Sequence, residues 1–281
     1  MRNESGETGS TGRRDAPIGV FDSGVGGLTV LRAIWDRLPR EATVYLGDTA
    51  RVPYGPKSPE TVRRYATEAV DFLLARRVKA VVIACNTATA RAHRHLADRT
   101  AVPVIGVIQP GAREAARRSR CGAIGVIGTR GTIDSGSYEA AIRSVRPDAV
   151  VHSNACPLFV ALAEEGWTQG EVARLTASTY LKPLLSRGID TLVLGCTHYP
   201  LLRPLLSGLA GDSVVVIDSA EATAAAVEEV LAAEELLAGG NVRRRHQTFV
   251  TDDEARFGIL ARRFLGSDPG DVETVSLGSS A

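Results

Sequence analysis

The chain has 281 residues, 44% hydrophobic and 23% charged, with a formal net charge of +1. That length holds one large α/β domain or two smaller ones, and the near-neutral charge argues against nucleic acid or an anionic membrane as partner. No apolar run approaches the roughly 18 residues of a membrane-spanning helix. The polar, Gly/Ser/Thr-rich residues 1–16 read as a disordered tail rather than a signal peptide.

Strand and helix patterns then alternate. P-I-G-V-F (17–21) is a short apolar strand, D-S-G-V-G-G a turn, and 28–38 a helix with apolar residues at helical spacing. A strand at 42–48 leads into a proline-rich loop. Ser58-Pro59-Glu60 then has the cap and first-turn proline of a helix start, and the helix runs to about residue 77. K-A-V-V-I-A (79–84) is a strand ending at Cys85, followed by a helix and a strand at 102–108. The second half replays this order. It has a helix around 110–119, strand 123–128, a turn, a helix near Ser137, strand 149–155 and a short helix within 156–166. A long helix, about 168–187, precedes strand 191–195 and Cys196; strand 213–218, helix 221–237, strand 246–251 and helix 254–265 complete the chain.

Such alternation implies an α/β fold with mainly parallel sheets flanked by helices. Two internal matches imply that it is built from two similar, pseudo-symmetric domains. V-V-I-A-C-N-T-A-T-A (81–90) returns as L-V-L-G-C-T-H-Y-P-L (192–201), and G-V-F-D-S-G (19–24) as G-V-I-G-T-R (125–130). The expected division is 17–108 plus 218–266 for the first domain and 109–217 for the second, with 267–281 a C-terminal tail. Ligands of open parallel sheets sit at the carboxyl ends of the strands. Asp22, Cys85, Thr129 and Cys196 all lie there, so the active site is expected in the cleft between the domains.

The four cysteines, Cys85, Cys121, Cys156 and Cys196, form no C-x-x-C pair and no Cys/His cluster with zinc spacing, so no metal site is expected. A thiolate site is the sharper reading for Cys85 and Cys196, and buried structural thiols the other; Cys121 and Cys156 are read as structural. Asn86-Thr87 after Cys85, and Thr197 to Pro200 after Cys196, look like helix starts. Both thiols are therefore expected to have lowered pKa values at the positive end of a helix. His198 is placed to assist proton transfer.

Cofactor signatures are missing. D-S-G-V-G-G is not G-x-G-x-x-G, and no Walker lysine follows the glycines. The three lysines, Lys57, Lys79 and Lys182, are poorly placed for a pyridoxal Schiff base. No cofactor is expected. The cleft supplies hydroxyls, amides and N–H groups suited to a carboxylate, and Asp22 is suited to a substrate ammonium.

I-G-V-F-D-S-G-V-G-G-L-T-V, G-D-T-A-R-V-P-Y-G, A-C-N-T-A-T-A, C-P-L-F-V-A-L-A-E-E-G and G-C-T-H-Y-P-L-L, in this order, resemble the bacterial glutamate racemases of the cofactor-independent aspartate/glutamate racemase superfamily. The resemblance covers about residues 17–266. It implies a cytoplasmic enzyme that interconverts L- and D-glutamate by two-base proton transfer and supplies D-glutamate for peptidoglycan. It also implies a homodimer, with no nucleic-acid or membrane partner. Cys85 and Cys196 are implied as the catalytic acid/bases, supported by Asp22, His198 and one glutamate of the Glu164–Glu165 pair, with Glu165 favoured. Implied substrate contacts are Asp22, Ser23, Tyr54, Gly55, Asn86, Thr87, Thr129, Thr132, Thr197 and His198. Two alternatives stay open: an aspartate racemase or related superfamily member, and a non-catalytic ligand-binding or redox protein.

Overall fold

The alternating pattern folds into two parallel sheets. A computed structural model of the chain describes residues 13–239 and 245–278. Its strands are β1 (Ile18–Asp22), β2 (Thr43–Gly47), β3 (Ala80–Ile83), β4 (Val104–Gly106), β5 (Ala123–Gly128), β6 (Val150–Ala155), β7 (Thr191–Gly195), β8 (Val215–Asp218), β9 (His246–Val250) and β10 (Val272–Thr274). Helices α1 (Leu28–Arg37), α2 (Pro59–Ala75), α3 (Asn86–Arg99), α4 (Ile108–Arg118), α5 (Arg130–Ile133) and α6 (Ser137–Val145) connect them through the first two-thirds. Helices α7 (Leu158–Glu165), α8 (Gly170–Leu185), α9 (Arg203–Ala210), α10 (Ala220–Ala233) and α11 (Glu254–Leu265) follow. The six-stranded sheet has the order β10-β9-β2-β1-β3-β4 and the four-stranded sheet β6-β5-β7-β8.

Local chemistry explains the elements. The central strands β1, β3 and β7 are buried along their whole length, as expected of apolar runs covered by helices on both faces. At the start of α2, Ser58 Oγ accepts from Thr61 N at 3.2 Å and Pro59 occupies the first turn. The helix then buries Val62, Ala66, Ala69, Val70 and Leu73, one stripe at helical spacing.

The internal repeat is a repeat of register. Phe21 pairs with Ile83 across β1 and β3, and the matching residues Ile127 and Leu194 pair across β5 and β7. Two residues beyond each pair come Ser23 and Cys85 in the first unit and Thr129 and Cys196 in the second, with Ser23 Oγ 3.4 Å from Cys85 Sγ. The two units share a core: one apolar cluster includes Val20 and Val82 of the first sheet and Val126 and Val193 of the second, bridged by Leu31, Ala112 and Val227 of α1, α4 and α10.

The chain ends differ from expectation. Residues 1–12 of the expected tail lie outside the described residues. Residues 13–16 are docked through Lys79, whose Nζ is 2.5 Å from Glu41 Oε2 and donates to the carbonyls of Arg14 (2.6 Å) and Leu236 (2.8 Å). Lys79 immediately precedes β3, at the end of the strand opposite Cys85, so a buried cation there needs that full set of acceptors. The expected C-terminal tail supplies β10, which pairs with β9 from Val272↔Thr248 to Thr274↔Val250. Three residues are too few to show a strand period, so only pairing reveals it. No helix among the described residues is long and apolar enough to cross a membrane.

Candidate active site

The carboxyl ends of β1 and β3 meet those of β5 and β7. Cys85 caps α3: its Sγ accepts from Ala88 N at 3.4 Å and its thiol donates to Ser23 Oγ, also at 3.4 Å. The expected lowering of its pKa is reversed. Burial, then the charge of Asp22, outweighs the hydrogen bonds with Ser23 and Ala88 and pushes the thiol up to about 12. A helix start is worth less than the loss of water around the sulfur. Charge on Cys196 also raises Cys85, so the two sulfurs share one electrostatic site.

Asp22 is fully buried at the end of β1. Oδ2 accepts from Gly24 N at 2.9 Å, while Oδ1 has no hydrogen-bond partner among the described residues. Burial raises its pKa against the opposing pull of His198 and the N–H groups of Gly24, Gly27 and Ser23. Asn86, directly after Cys85, accepts at Oδ1 from the Tyr138 hydroxyl at 2.7 Å, and its Nδ2 is also unpartnered. The sequence reading missed Tyr138. It lies one residue into α6 with no motif around it, and only the fold carries it across to Asn86.

On the other side, Cys196 lies in a bend before the 3-10 turn Tyr199–Leu202, which carries Pro200, and does not cap an α-helix. The expected dipole is thereby replaced by a side chain: Cys196 Sγ is 4.0 Å from His198 Nδ1. His198 Nε2 is 3.0 Å from Glu164 Oε1. Burial by itself lowers the His198 pKa, but the hydrogen bonds and charges of Cys196 and Glu164 prevail and raise it to about 10. The result is a buried imidazolium between a sulfur and a carboxylate. Glu164 is the member of the pair that faces the site, correcting the choice of Glu165, which is exposed. Adjacent helical residues project about 100° apart, and the buried Phe159, Leu162 and Ala163 do not reveal which one reaches His198.

Contacts across the units gather the other expected residues. Thr87 Oγ1 lies 2.8 Å from Thr129 Oγ1 and 3.2 Å from Thr132 Oγ1, and Gly131 N donates to Gly55 O at 2.9 Å. Thr29 Oγ1 donates to Thr197 O at 3.4 Å. The glycine-rich turn serves this close approach: a Cβ on Gly26 would fall 2.3 Å from Thr197 Oγ1 and 2.6 Å from His198 Nδ1. Tyr54 is buried with its hydroxyl donated to Asp48, which also accepts from Arg51 Nε and Thr251 Oγ1. Tyr54 therefore has no free hydroxyl proton to offer, whereas Ser23 Oγ lies 3.4 Å from Cys85 Sγ and Thr87 stands in the first turn of the helix that Cys85 caps.

The remaining cysteines separate. Cys156 is wholly buried, consistent with a structural role, and burial raises its pKa. Cys121 is exposed, at a turn whose N–H groups are held by Asp190, so packing does not account for it. Among the described residues no group of three or more His, Cys, Asp or Glu side chains is arranged to hold a metal ion.

Known proteins share this sequence pattern and fold. A family model described as Asp/Glu/Hydantoin racemase matches residues 18–227. A glutamate racemase of Geobacter metallireducens is 55% identical over 260 residues, covering 92% of this chain and 96% of that protein. The crystal structure of a glutamate racemase isoform from Bacillus anthracis superposes with a TM-score of 0.90 at 42% identity, covering 94% of this chain and 98% of that one. That of the Francisella tularensis glutamate racemase in complex with D-glutamate gives 0.88 at 36% identity, with the same coverages.

Proposed function

The chain belongs to the Asp/Glu/Hydantoin racemase family, and from that premise we propose that it interconverts L- and D-glutamate by proton transfer between Cys85 and Cys196, without a cofactor. The observation that carries the reading is a pair of buried atoms near Cys85 that lack partners among the described residues: Asp22 Oδ1, an acceptor suited to the substrate ammonium, and Asn86 Nδ2, a donor suited to its α-carboxylate. A buried polar atom without a partner costs free energy, and an amino acid offers both complements.

In the L-to-D direction the Cys196 thiolate takes the α-proton: the Cα–H bond breaks and an S–H bond forms. Cys85 then gives its S–H proton to the opposite face of the carbon. The pKa of about 12 keeps Cys85 in the acid form this direction needs. Cationic His198, 4.0 Å from Cys196 Sγ and backed by Glu164, supplies the counter-charge for a thiolate. The reverse reaction exchanges the two roles. Neutral donors such as Asn86 Nδ2, Ser23, Thr87 and Thr197 hold the α-carboxylate while negative charge grows on the carbon, the preorganised stabilisation such a step requires. Lysine placement supports cofactor independence: Lys79 is committed to Glu41 and two carbonyls at the end of β3 opposite Cys85.

The reading extends to a homodimer in the cytoplasm that supplies D-glutamate for peptidoglycan. The exposed Leu158, Trp167, Val172 and Leu175 on the second unit support a partner surface. The test is racemisation followed by polarimetry or circular dichroism with extensively dialysed protein. L- and D-glutamate should each decay to zero optical activity, aspartate should react far more slowly, and pyridoxal phosphate should change nothing. Dependence on added pyridoxal phosphate, or preference for aspartate, would overturn the proposal.

A further inference from the structure

The last helix of the first unit reaches across to the acid/base pair of the second. α11 connects β9 and β10 of the six-stranded sheet, whereas α7 and its Glu164 follow β6 of the four-stranded sheet. Phe264 of α11, itself buried, sets its ring edge-on to His198, with centroids 5.2 Å apart and planes at 80°. Arg263, on the exposed side, donates from Nη1 to the backbone carbonyl of Glu164. That carbonyl is one of those a helix leaves unpaired in its last turn, and a cation there also meets the negative end of the helix.

Gly166 makes room for this contact. It ends α7 in the left-handed region at φ 76°, and a Cβ there would lie 3.0 Å from Arg263 Cζ. A third residue acts by charge. Burial raises the Glu164 pKa, but His198 and then Arg256 pull it down, and the net shift is downward. Thus α11 holds the backbone of Glu164, the ring of His198 and the charge of the carboxylate. Cys85 draws its support from Ser23, Ala88 and Asp22, all within its own unit.

We infer that Arg263 and Phe264 are positioning residues for proton transfer at Cys196 alone. The Cys196–His198–Glu164 relay is complete only where the C-terminal helix of the first unit is docked on the second. This rests on the reading of those three residues given above. The last turn of a helix frays readily, and Glu164 lies in that turn. Without Arg263 the turn loosens, and without the ring of Phe264 the imidazole loses the surface that fixes its plane. A misplacement of about 1 Å in such a group costs on the order of 10²-fold in rate.

The experiment measures primary deuterium isotope effects on kcat/KM with C2-deuterated L-glutamate and D-glutamate. Three variants are compared with wild type: Arg263→Met, Phe264→Leu and Glu164→Gln. Arg263 is exposed, so its variant folds even where a Phe264 variant does not. Arg263→Met should lower kcat by about tenfold, well short of the roughly 10²–10⁴ attached to a general acid/base itself. Its isotope effect should rise with L-glutamate, whose proton Cys196 removes, and fall with D-glutamate. Arg263→Lys should restore part of the loss. Glu164→Gln tests the underlying relay and should show the same asymmetry more strongly. If Glu164→Gln shows it and Arg263→Met leaves both isotope effects unchanged, the positioning role is overturned and the relay stands. If Glu164→Gln shows none, the relay reading fails and the inference fails with it.

Discussion

Replacing either Cys85 or Cys196 with serine lowers racemisation by a factor of about 10³ or more, while the protein stays folded. The expectation follows from what the substitution changes. A serine hydroxyl is a far weaker acid than a thiol, so it neither rests as the conjugate base nor returns a proton at a useful rate. Shape and local structure are nearly conserved. Cys85 is the N-cap of α3, accepting from Ala88 N, and serine is a better N-cap than cysteine. Cys196 packs on one side against the apolar cluster of Leu194 and Tyr199 and on the other lies 4.0 Å from His198 Nδ1. A modest destabilisation is expected there, a shift in Tm of a few degrees. Steady-state rates in both directions, with a thermal melt on the same samples, separate chemistry from folding. Near-normal racemisation by either variant would falsify the assignment of these thiols.

Replacing His198 with asparagine lowers kcat by about 10²-fold in each direction and removes one component of the pH dependence of stability. General acid/base assistance is commonly worth about 10²–10⁴, and here the imidazolium acts through Cys196 rather than on the substrate. The pH argument starts from the raised folded-state pKa of about 10 against an ordinary 6.5. A group whose pKa is raised on folding stabilises the native state fully below its unfolded pKa. The contribution therefore declines as pH rises from about 6.5 and is lost once pH passes about 10. Denaturation midpoints of the wild type should fall across that window, and those of His198→Asn should fall less. Equal slopes for the two proteins would show that His198 is not held as a cation.

Much of this was legible in the sequence because it rests on periodicity and on short-range chemistry. The alternation of strands and helices, the Ser58–Pro59 cap and both cysteine strand ends follow from runs of a few residues. So does the internal repeat, which the structure turns into matched registers, Phe21↔Ile83 and Ile127↔Leu194. What escaped depends on distance or on solvent. Tyr138 reaches Asn86 from 52 residues away. Glu164 and Glu165 differ only in the direction in which a helix end points. The rise in the Cys85 pKa reflects burial, which a helix start seen in sequence does not reveal. Cys196 meets a histidine instead of a helix dipole because the chain after it forms a bend and a 3-10 turn.

The central claim is that each sulfur serves one face of the substrate carbon, and single-direction racemisation in deuterated water tests it most directly. L-glutamate is converted to a small extent, and L and D fractions are separated and weighed by mass spectrometry. Two bases predict deuterium in nearly every D-glutamate molecule, since the donated proton comes from a thiol equilibrated with solvent. They also predict little in the recovered L-glutamate, since a proton taken by Cys196 returns to the same carbon before it exchanges. Deuterium appearing equally in both enantiomers from the first turnovers would contradict the account.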